Sequence, residues 1–372
     1  MDGGFEARLD CQGAAGVLTI DLIALRNNYL ALRERLASAR AAAVVKADAY
    51  GLGMARVAPV LFEAGCRDFF VAQLDEALKL KDMVPADARL FVLNGLIPGT
   101  EKICADAAIV PVLNSLDQVR AWASIAQATR TGLPAVLQFD TGMSRLGLSE
   151  SEVQALAAEP DRLRGLELLF LMSHLASADE PEDTQNSEQL AVMRAFAERF
   201  PGIELCLSNS GGIFLGADYH GTLARPGIAL YGGAPTANAP NPMRPVVRLE
   251  VRVIQTREVP AGARIGYNGS YVTPRVSRIA TIAAGYADGL PISLSNRGSA
   301  YFGGARLPMV GRVSMDTITL DVSALPRGAL APGSLVEILG PNQTLEQLAA
   351  DAGTISYEIL TRLGQRYCRH YR

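Results

Sequence analysis

This 372-residue chain has no C-x-x-C pair, no long apolar run and no excess of charge of either sign. Its five cysteines, at 11, 66, 104, 206 and 368, are scattered and odd in number. That argues against a zinc site or a disulfide framework and for reduced thiols. No segment approaches the roughly 18 uninterrupted apolar residues of a membrane span. The first residues, Met-Asp-Gly-Gly-Phe-Glu, show no basic stretch followed by an apolar one, so no secretory signal is expected. With 35 basic against 38 acidic residues there is neither a basic stripe for nucleic acid nor an acidic tail. What remains is a globular chain expected in the cytoplasm. Its content, 49% apolar and 20% charged, is ordinary for that class. Its length suffices for two domains and a substantial core.

Residues 1–15 read as irregular. Val17 to Asp21 alternates like a strand, and Asp21 can cap a helix carrying Leu22, Leu25, Tyr29, Leu32 and Leu36. A rhythm then sets in. Short apolar runs recur near 42–46, 69–72, 90–93, 109–113, 135–139, 166–171, 204–208 and 222–225. Amphipathic stretches such as Met54–Ala64, Leu74–Met83, Leu116–Ala128 and Glu188–Arg199 separate them, and Ser149 with Glu152 makes a capping box. Apolar strands alternating with helices indicate βα units, and eight of them predict a closed (β/α)8 TIM barrel. Lys46, Gln73, Asn94, Asn114, Asp140, His174, Asn209 and Arg225 each fall at or just past the end of one strand. That rim is where such barrels build chemistry. Asn94 and Asn114 also suit plain helix caps.

The stretch Pro235 to Pro245, rich in proline and asparagine, breaks the rhythm and reads as a linker. Beyond it Val247, Leu249, Val251 and Val253 alternate with Arg248, Glu250 and Arg252. Further strands are expected around 277–283, 307–313, 317–322 and 335–339. Thr344 with Gln347 opens one helix, and Ser356 to Leu363 forms another. The expected organisation is therefore a barrel over 17–237 followed by a mainly β domain over 238–372.

One stretch organises these observations. The run Ala41 to Val45 stops at Lys46 and passes into Asp48, Tyr50, Gly51 and Gly53. A lysine held at a sheet's end, partly out of water, has its charged form disfavoured. Its free amine can then attack a carbonyl, as a Schiff-base lysine must. For an isolated strand-end lysine, a charge facing water is the commoner outcome.

The stretch Val45-Lys46-Ala47-Asp48-Ala49-Tyr50-Gly51-Leu52-Gly53 resembles the attachment signature of the pyridoxal 5′-phosphate (PLP)-dependent alanine racemase family. Six further blocks follow in that family's order. They are Asp140-Thr-Gly-Met-Ser-Arg145-Leu-Gly, Ser173-His174-Leu-Ala-Ser, Ser208-Asn209-Ser210, Arg225-Pro-Gly227-Ile228-Ala-Leu-Tyr231-Gly, Gly285-Tyr286-Ala-Asp288-Gly and Gly311-Arg312-Val-Ser-Met315-Asp316. The resemblance covers the chain from about residue 17 to its end. It implies the same barrel and β domain, with residues 17–21 joining the β domain. It also implies a head-to-tail homodimer, in which the β domain of one subunit completes the active site of the other.

The resemblance further implies a role for each residue. Lys46 would carry the cofactor as a Schiff base and serve as one of two bases, with Tyr267 of the partner subunit as the second. Tyr50, Ser210, Gly227 and Ile228 would hold the phosphate, a dianion suited to small residues and hydroxyls after late barrel strands. Arg225 would face the pyridine nitrogen. An arginine only donates, so it leaves that nitrogen unprotonated, which suits proton exchange over transamination. His174 and Asn209 would support this cofactor site, and Tyr357 would join it. Arg145, Met315 and Asp316 would bind the substrate carboxylate region, and Tyr286 and Arg312 would line the access path. The implied activity is interconversion of L- and D-alanine, for peptidoglycan or for alanine catabolism. Two bases are needed because one lysine cannot easily reach both faces of a planar carbon.

Two positions depart from the family's pattern. Gln138 stands where many members have a carbamylated lysine, so Arg145 is expected to be oriented by the neutral Gln138 amide or by a bound anion. Ile292 stands where many have an arginine, which alters the lining of the access path. Three other readings compete: a broader racemase for serine or basic amino acids, a barrel-type PLP decarboxylase, and a non-catalytic PLP-binding protein. The decarboxylase is opposed by Arg225 and Met315, and the non-catalytic protein by the whole β domain.

Overall fold

The computed structural model describes Cys11 and residues 13–372. Of the stretch expected to be irregular, residues 1–10 and 12 lie outside the described residues. The chain divides into two compact units. One comprises Leu25–Leu230 with Ala234–Met243, and the other comprises the described residues up to Ala24, Tyr231–Gly233 and Arg244–Arg372.

In chain order the first strand is Gly16–Ile20 (β1), followed by helix Leu22–Arg35 (α1), whose first turn is capped by Asp21 Oδ1 accepting from the Ala24 amide. The barrel unit then begins with two short segments, Arg40–Ala41 (β2) and Ala43–Val44 (β3). The strands and helices alternate from there: Met54–Glu63 (α2), Asp68–Val71 (β4), Leu74–Lys81 (α3), Arg89–Val92 (β5), Glu101–Asp106 (α4), Val110–Leu113 (β6) and Leu116–Thr129 (α5). Leu133–Gln138 (β7), Glu150–Ala158 (α6), Leu166–Met172 (β8), Thr184–Ala197 (α7), Glu204–Cys206 (β9) and Leu223–Ala224 (β10) complete the set.

Strands β3 to β9 form one parallel sheet in sequence order. Strand β10 pairs with β2, and amides of Thr222 and Arg225 donate to carbonyls of Leu205 and Ser208 beside β9. The curled sheet thus closes on itself as a (β/α)8 barrel. Its strands are apolar almost throughout because both faces are covered. Phe70 stacks on Phe91 at 4.5 Å, and Phe91 lies 5.9 Å from Phe170.

Two local differences from the sequence reading have physical causes. Helix α7 starts at Thr184 rather than Glu188, because its first turn buries an amide instead of an aliphatic side chain. Asn186 donates there to carbonyls of Ser177 and Glu180. Helix α4 buries only Cys104 and so leaves no periodic signal.

The second unit is built on the long strand Val247–Val259 (β11), whose Val247, Leu249, Val251 and Val253 are buried as the alternation requires. The elements after it are Arg264–Ile265 (β12), Tyr271–Val272 (β13), Ser277–Ile282 (β14), Ser299–Phe302 (β15), Ala305–Pro308 (β16), Ile318–Asp321 (β17) and Leu335–Leu339 (β18). Helices Leu345–Ala352 (α8) and Ser356–Arg362 (α9) precede the last strand, Cys368–Tyr371 (β19). Strand β1 lies between β11 and β19, antiparallel to the first and parallel to the second. The strand expected over 307–313 ends at Pro308, and Gly311 beyond it sits at φ +84°.

The cysteine reading needs one correction. Cys11 and Cys368 form a disulfide, with Cα atoms 5.6 Å apart across a separation of 357 residues. Spacing could not reveal it, since the parallel pairing of β1 with β19 is what brings the two chain ends together. Cys66, Cys104 and Cys206 are free and buried. No helix among the described residues is long and apolar enough to cross a membrane.

Candidate active site

All eight polar residues noted after the barrel strands stand at the C-terminal ends of those strands, on one rim. Lys46 follows β3 and Val45, and is half-buried. The chain does not continue as a strand or an ordinary loop beyond it. Ala47, Asp48, Ala49 and Tyr50 all adopt left-handed backbone, with φ of 52°, 54°, 54° and 57°. For L-residues each such step costs about 1–2 kcal/mol, so the packing around the turn must impose it. Burial lowers the Lys46 amine from its ordinary value; the positive fields of Arg145 and Arg225 lower it further, and Glu76 opposes them.

Arg225 is the buried cation of this rim, 3% exposed. A buried charge is tolerable only when its donors find acceptors. Nη1 donates to the carbonyl of Cys206 at 2.7 Å and to its Sγ at 2.9 Å. Nη2 donates to the Ser173 carbonyl at 2.7 Å, with longer contacts to the Leu207 carbonyl and His174 Nδ1 at 3.4 Å. Among the described residues the Nε–H has no acceptor. Enclosure and the neighbouring charges of Arg225, Arg145 and Lys46 push the His174 imidazole down to about 3. Its ring is therefore neutral at physiological pH, with Nδ1 able to accept from Arg225.

The small residues after β9 and β10 form a cradle. Ser210 Oγ accepts from the amides of Gly227 and Ala229 at 2.9 and 3.2 Å. The Ile228 amide between them has no acceptor among the described residues. The buried Tyr50 hydroxyl lies against the Cα of Gly227, where any Cβ would collide with it. An unpaired amide beside two hydroxyls and a glycine is what an anionic group needs. Asn209 shapes this loop from within, its Oδ1 accepting from the Gly212 amide and its Nδ2 donating to the Leu175 carbonyl.

Arg145 is exposed in the loop after β7. Asp140 folds that loop by accepting from the amides of Gly142 and Ser144, the latter at φ +55°. Of the two expected ways of orienting Arg145, the Gln138 amide or a bound anion, the first is not used. Gln138 is buried on β7, and no hydrogen bond joins its amide to Arg145. Asn114 turns inward to carbonyls of Leu93 and Val112, a structural use.

The other expected residues gather on the β unit. The amides of Tyr286 and Ala287 donate to carbonyls of Ser314 and Met315, locking the two blocks together. Gly285 is required there, because a Cβ would strike the Ser314 and Met315 carbonyls. Arg366 bridges both blocks, donating to Asp288 at 2.6 and 2.7 Å and to Asp316 at 2.7 Å. Tyr267 begins a short turn at Tyr267–Gly269, preceded by Gly266, which packs close to the Arg312 backbone. Tyr267 is 67% exposed and Met315 52%, and Arg312, Tyr286, Tyr357 and Ile292 are exposed as well. Tyr286 and Ile292 line a cavity of about 570 Å³ with Pro291 and Arg362. The structure thus gathers the expected residues in two sets, one on each unit.

Sequence reasoning missed two residues. Gln189, fully buried on α7, donates to Thr141 Oγ1 and the His174 carbonyl and accepts from the Ala176 amide, tying two rim loops. Glu76 on α3 accepts from the amide next to Lys46. Both sit on helices whose patterns read as ordinary, and a buried glutamine at an apolar position was the available signal for the first.

A barrel whose C-terminal rim gathers a half-buried lysine, a buried arginine and a loop with an unpaired amide is built as barrel enzymes are. Residues 20–235 match the family model described as "Alanine racemase, N-terminal domain", and residues 246–371 match "Alanine racemase, C-terminal domain". The chain is 62% identical over 371 residues to a catabolic alanine racemase of Agrobacterium fabrum, covering 100% of this chain and 96% of the relative. It is 56% identical to an alanine racemase of Brucella canis, covering 96% and 94%. Its fold matches a crystal structure of alanine racemase from Bartonella henselae with covalently bound pyridoxal phosphate. The TM-score is 0.94 and the identity 43%, covering 96% of this chain and 100% of that one. The chain belongs to the alanine racemase family and is an isomerase of that kind.

Proposed function

We propose that this protein interconverts L- and D-alanine with PLP held at Lys46, and that it does so as a homodimer with shared active sites. The observation that carries the reading is the half-buried Lys46 on the same barrel rim as the buried Arg225, whose Nε–H alone is left for a ligand. The residues present fit the cofactor. Tyr50, Ser210, Gly227 and the open Ile228 amide would take its phosphate, and Arg225 Nε–H would donate to its ring nitrogen. When bound, PLP supplies an electron-withdrawing ring that makes the substrate's α-hydrogen acidic. Because Arg225 cannot surrender a proton, it restrains that withdrawal and favours return of a proton to the same carbon.

Lys46 Nζ moves the proton on one face of the substrate α-carbon. Tyr267 of the partner subunit would hold it on the other. Arg145 would draw the substrate carboxylate, with Met315 and Asp316 of the partner subunit closing around it. Tyr286 and Arg312 would shape the access path, and Tyr357 would meet the cofactor site. His174, neutral, keeps Arg225 in place without adding a second charge. The exposure of Tyr267, Met315 and Tyr286 supports the dimer, because large side chains of this kind are kept at a surface when a partner covers them. The test is borohydride reduction with peptide mapping, alongside turnover across a panel of L-amino acids. The label is expected on Lys46 and alanine among the best substrates. A label elsewhere, or poor turnover of alanine, overturns the reading.

A further inference from the structure

The left-handed turn after Lys46 needs something to hold it, and one carboxylate outside the turn does so. Within the turn the Gly51 amide donates to the Ala47 carbonyl at 2.8 Å, the Gly53 amide to the Asp48 carbonyl at 2.9 Å, and the Met54 amide to Asp48 Oδ1 at 2.7 Å. These close its far end. At its near end the Ala47 amide, one peptide bond from Lys46, donates at 2.6 Å to Glu76 Oε1, 29 residues away on α3. Glu76 Oε2 meanwhile accepts from the amides of Ala72 and Gln73 at 2.8 and 3.1 Å. A single side chain therefore satisfies three backbone donors and joins the Lys46 turn to the loop after β4. Capping α3 alone would need only one of its oxygens.

We propose that Glu76 is a positioning residue for Lys46: its carboxylate clamps the left-handed turn at its first amide and so fixes where the lysine amine stands on the barrel rim. The inference rests on the reading of Lys46 as the reactive lysine. Glu76 is half-buried, so its hydrogen bonds compete with water less than they would on an open surface. The charged groups acting on Lys46 are Arg145 from the loop after β7, Arg225 from the end of β10 and Glu76 from α3, while the neutral His174 at the end of β8 feels the Lys46 charge in turn. Glu76 is the only anion among them, so it also offsets the two arginines.

The test compares Glu76→Gln with Glu76→Ala. Glutamine keeps one acceptor, loses the charge, and turns a donor toward a pair of backbone N–H groups. In the cofactor-free protein, Lys46 is labelled with acetic anhydride across a pH series and quantified by peptide mapping. In the loaded enzyme, kcat, KM and the pH profile of kcat are measured. Glu76→Gln is expected to move the Lys46 labelling midpoint down by about 0.5–1 pH unit and the pH profile with it. It should lower kcat about 10–100-fold with KM changed less than about threefold, as misplacement of a reacting group does. Glu76→Ala should lower kcat further. A folded Glu76→Gln protein with an unshifted midpoint and unshifted pH profile overturns the proposal, including where activity falls in step with Tm. Borohydride mapping of the wild type keeps the two claims apart: a label away from Lys46 refutes the functional reading, whereas the midpoint of the cofactor-free protein judges the clamp.

Discussion

The two units treat their polar and aromatic residues in opposite ways. The barrel unit turns them inward and bonds them to one another. Arg225 spends its terminal nitrogens on carbonyls and on Cys206, Ser210 on two amides, and Tyr50 is packed against Gly227. The β unit holds its loops as firmly, through Arg366 and the paired blocks at 285–288 and 314–316, yet leaves Tyr267, Met315 and Tyr286 exposed. One unit holds its candidate residues by bonds from within. The other anchors its loops by backbone bonds and ion pairs and leaves large side chains exposed.

That contrast can be broken experimentally. Lys46→Ala should abolish racemisation, by more than about 10³-fold, and remove covalent capture of the cofactor by borohydride. Tyr267→Phe should lower activity about 10²–10⁴-fold while sparing cofactor absorbance, with the larger loss in the direction where tyrosine abstracts the proton. Full activity in both directions would remove it as a base. Mixing these two inactive variants tests whether the halves belong to different copies. Random reassortment of a dimer with shared sites should restore about a quarter of wild-type activity, and a site made within one chain should restore none.

Smaller effects sharpen the comparison. His174 is neutral in the folded barrel down to about 3, whereas an unfolded histidine takes a proton near 6.5. The unfolded state thus binds more protons as pH falls from about 6.5 toward 3, and His174 makes stability decline through that window. His174→Gln should flatten the decline in urea-unfolding free energy measured at pH 7 and pH 5. In the β unit, Cys11→Ser removes the covalent tie between the chain ends. It should lower Tm by a few degrees, consistent with about 2–4 kcal/mol for a disulfide, while leaving kcat near wild type.

Much of this was legible in the sequence because it rests on periodicity. The eight barrel strands, the capping box of Ser149 with Glu152 and the alternation along β11 all follow from which residues must be dry. The motif blocks named the candidate residues for the same reason, since each block is contiguous in the chain. What was hidden depends on contacts between distant segments. Nothing local marks Glu76 as a partner of Ala47, Gln189 as a tie between rim loops, or Cys11 as the mate of Cys368. The left-handed turn was hidden differently, for two alanines and a tyrosine give no sign of positive φ where tertiary bonds impose it. Gln138 shows the converse: a substitution visible in sequence suggested a bond that the fold does not make.

Arg366 lies six residues from the end of the chain, just before β19, yet it latches the two loops that carry Tyr286 and Met315. The C-terminus is therefore not spare length for the protein engineer. Trimming it past Gly364, or straining it with a fused domain, would loosen the very loops expected to recognise substrate, and would do so far along the sequence from either of them.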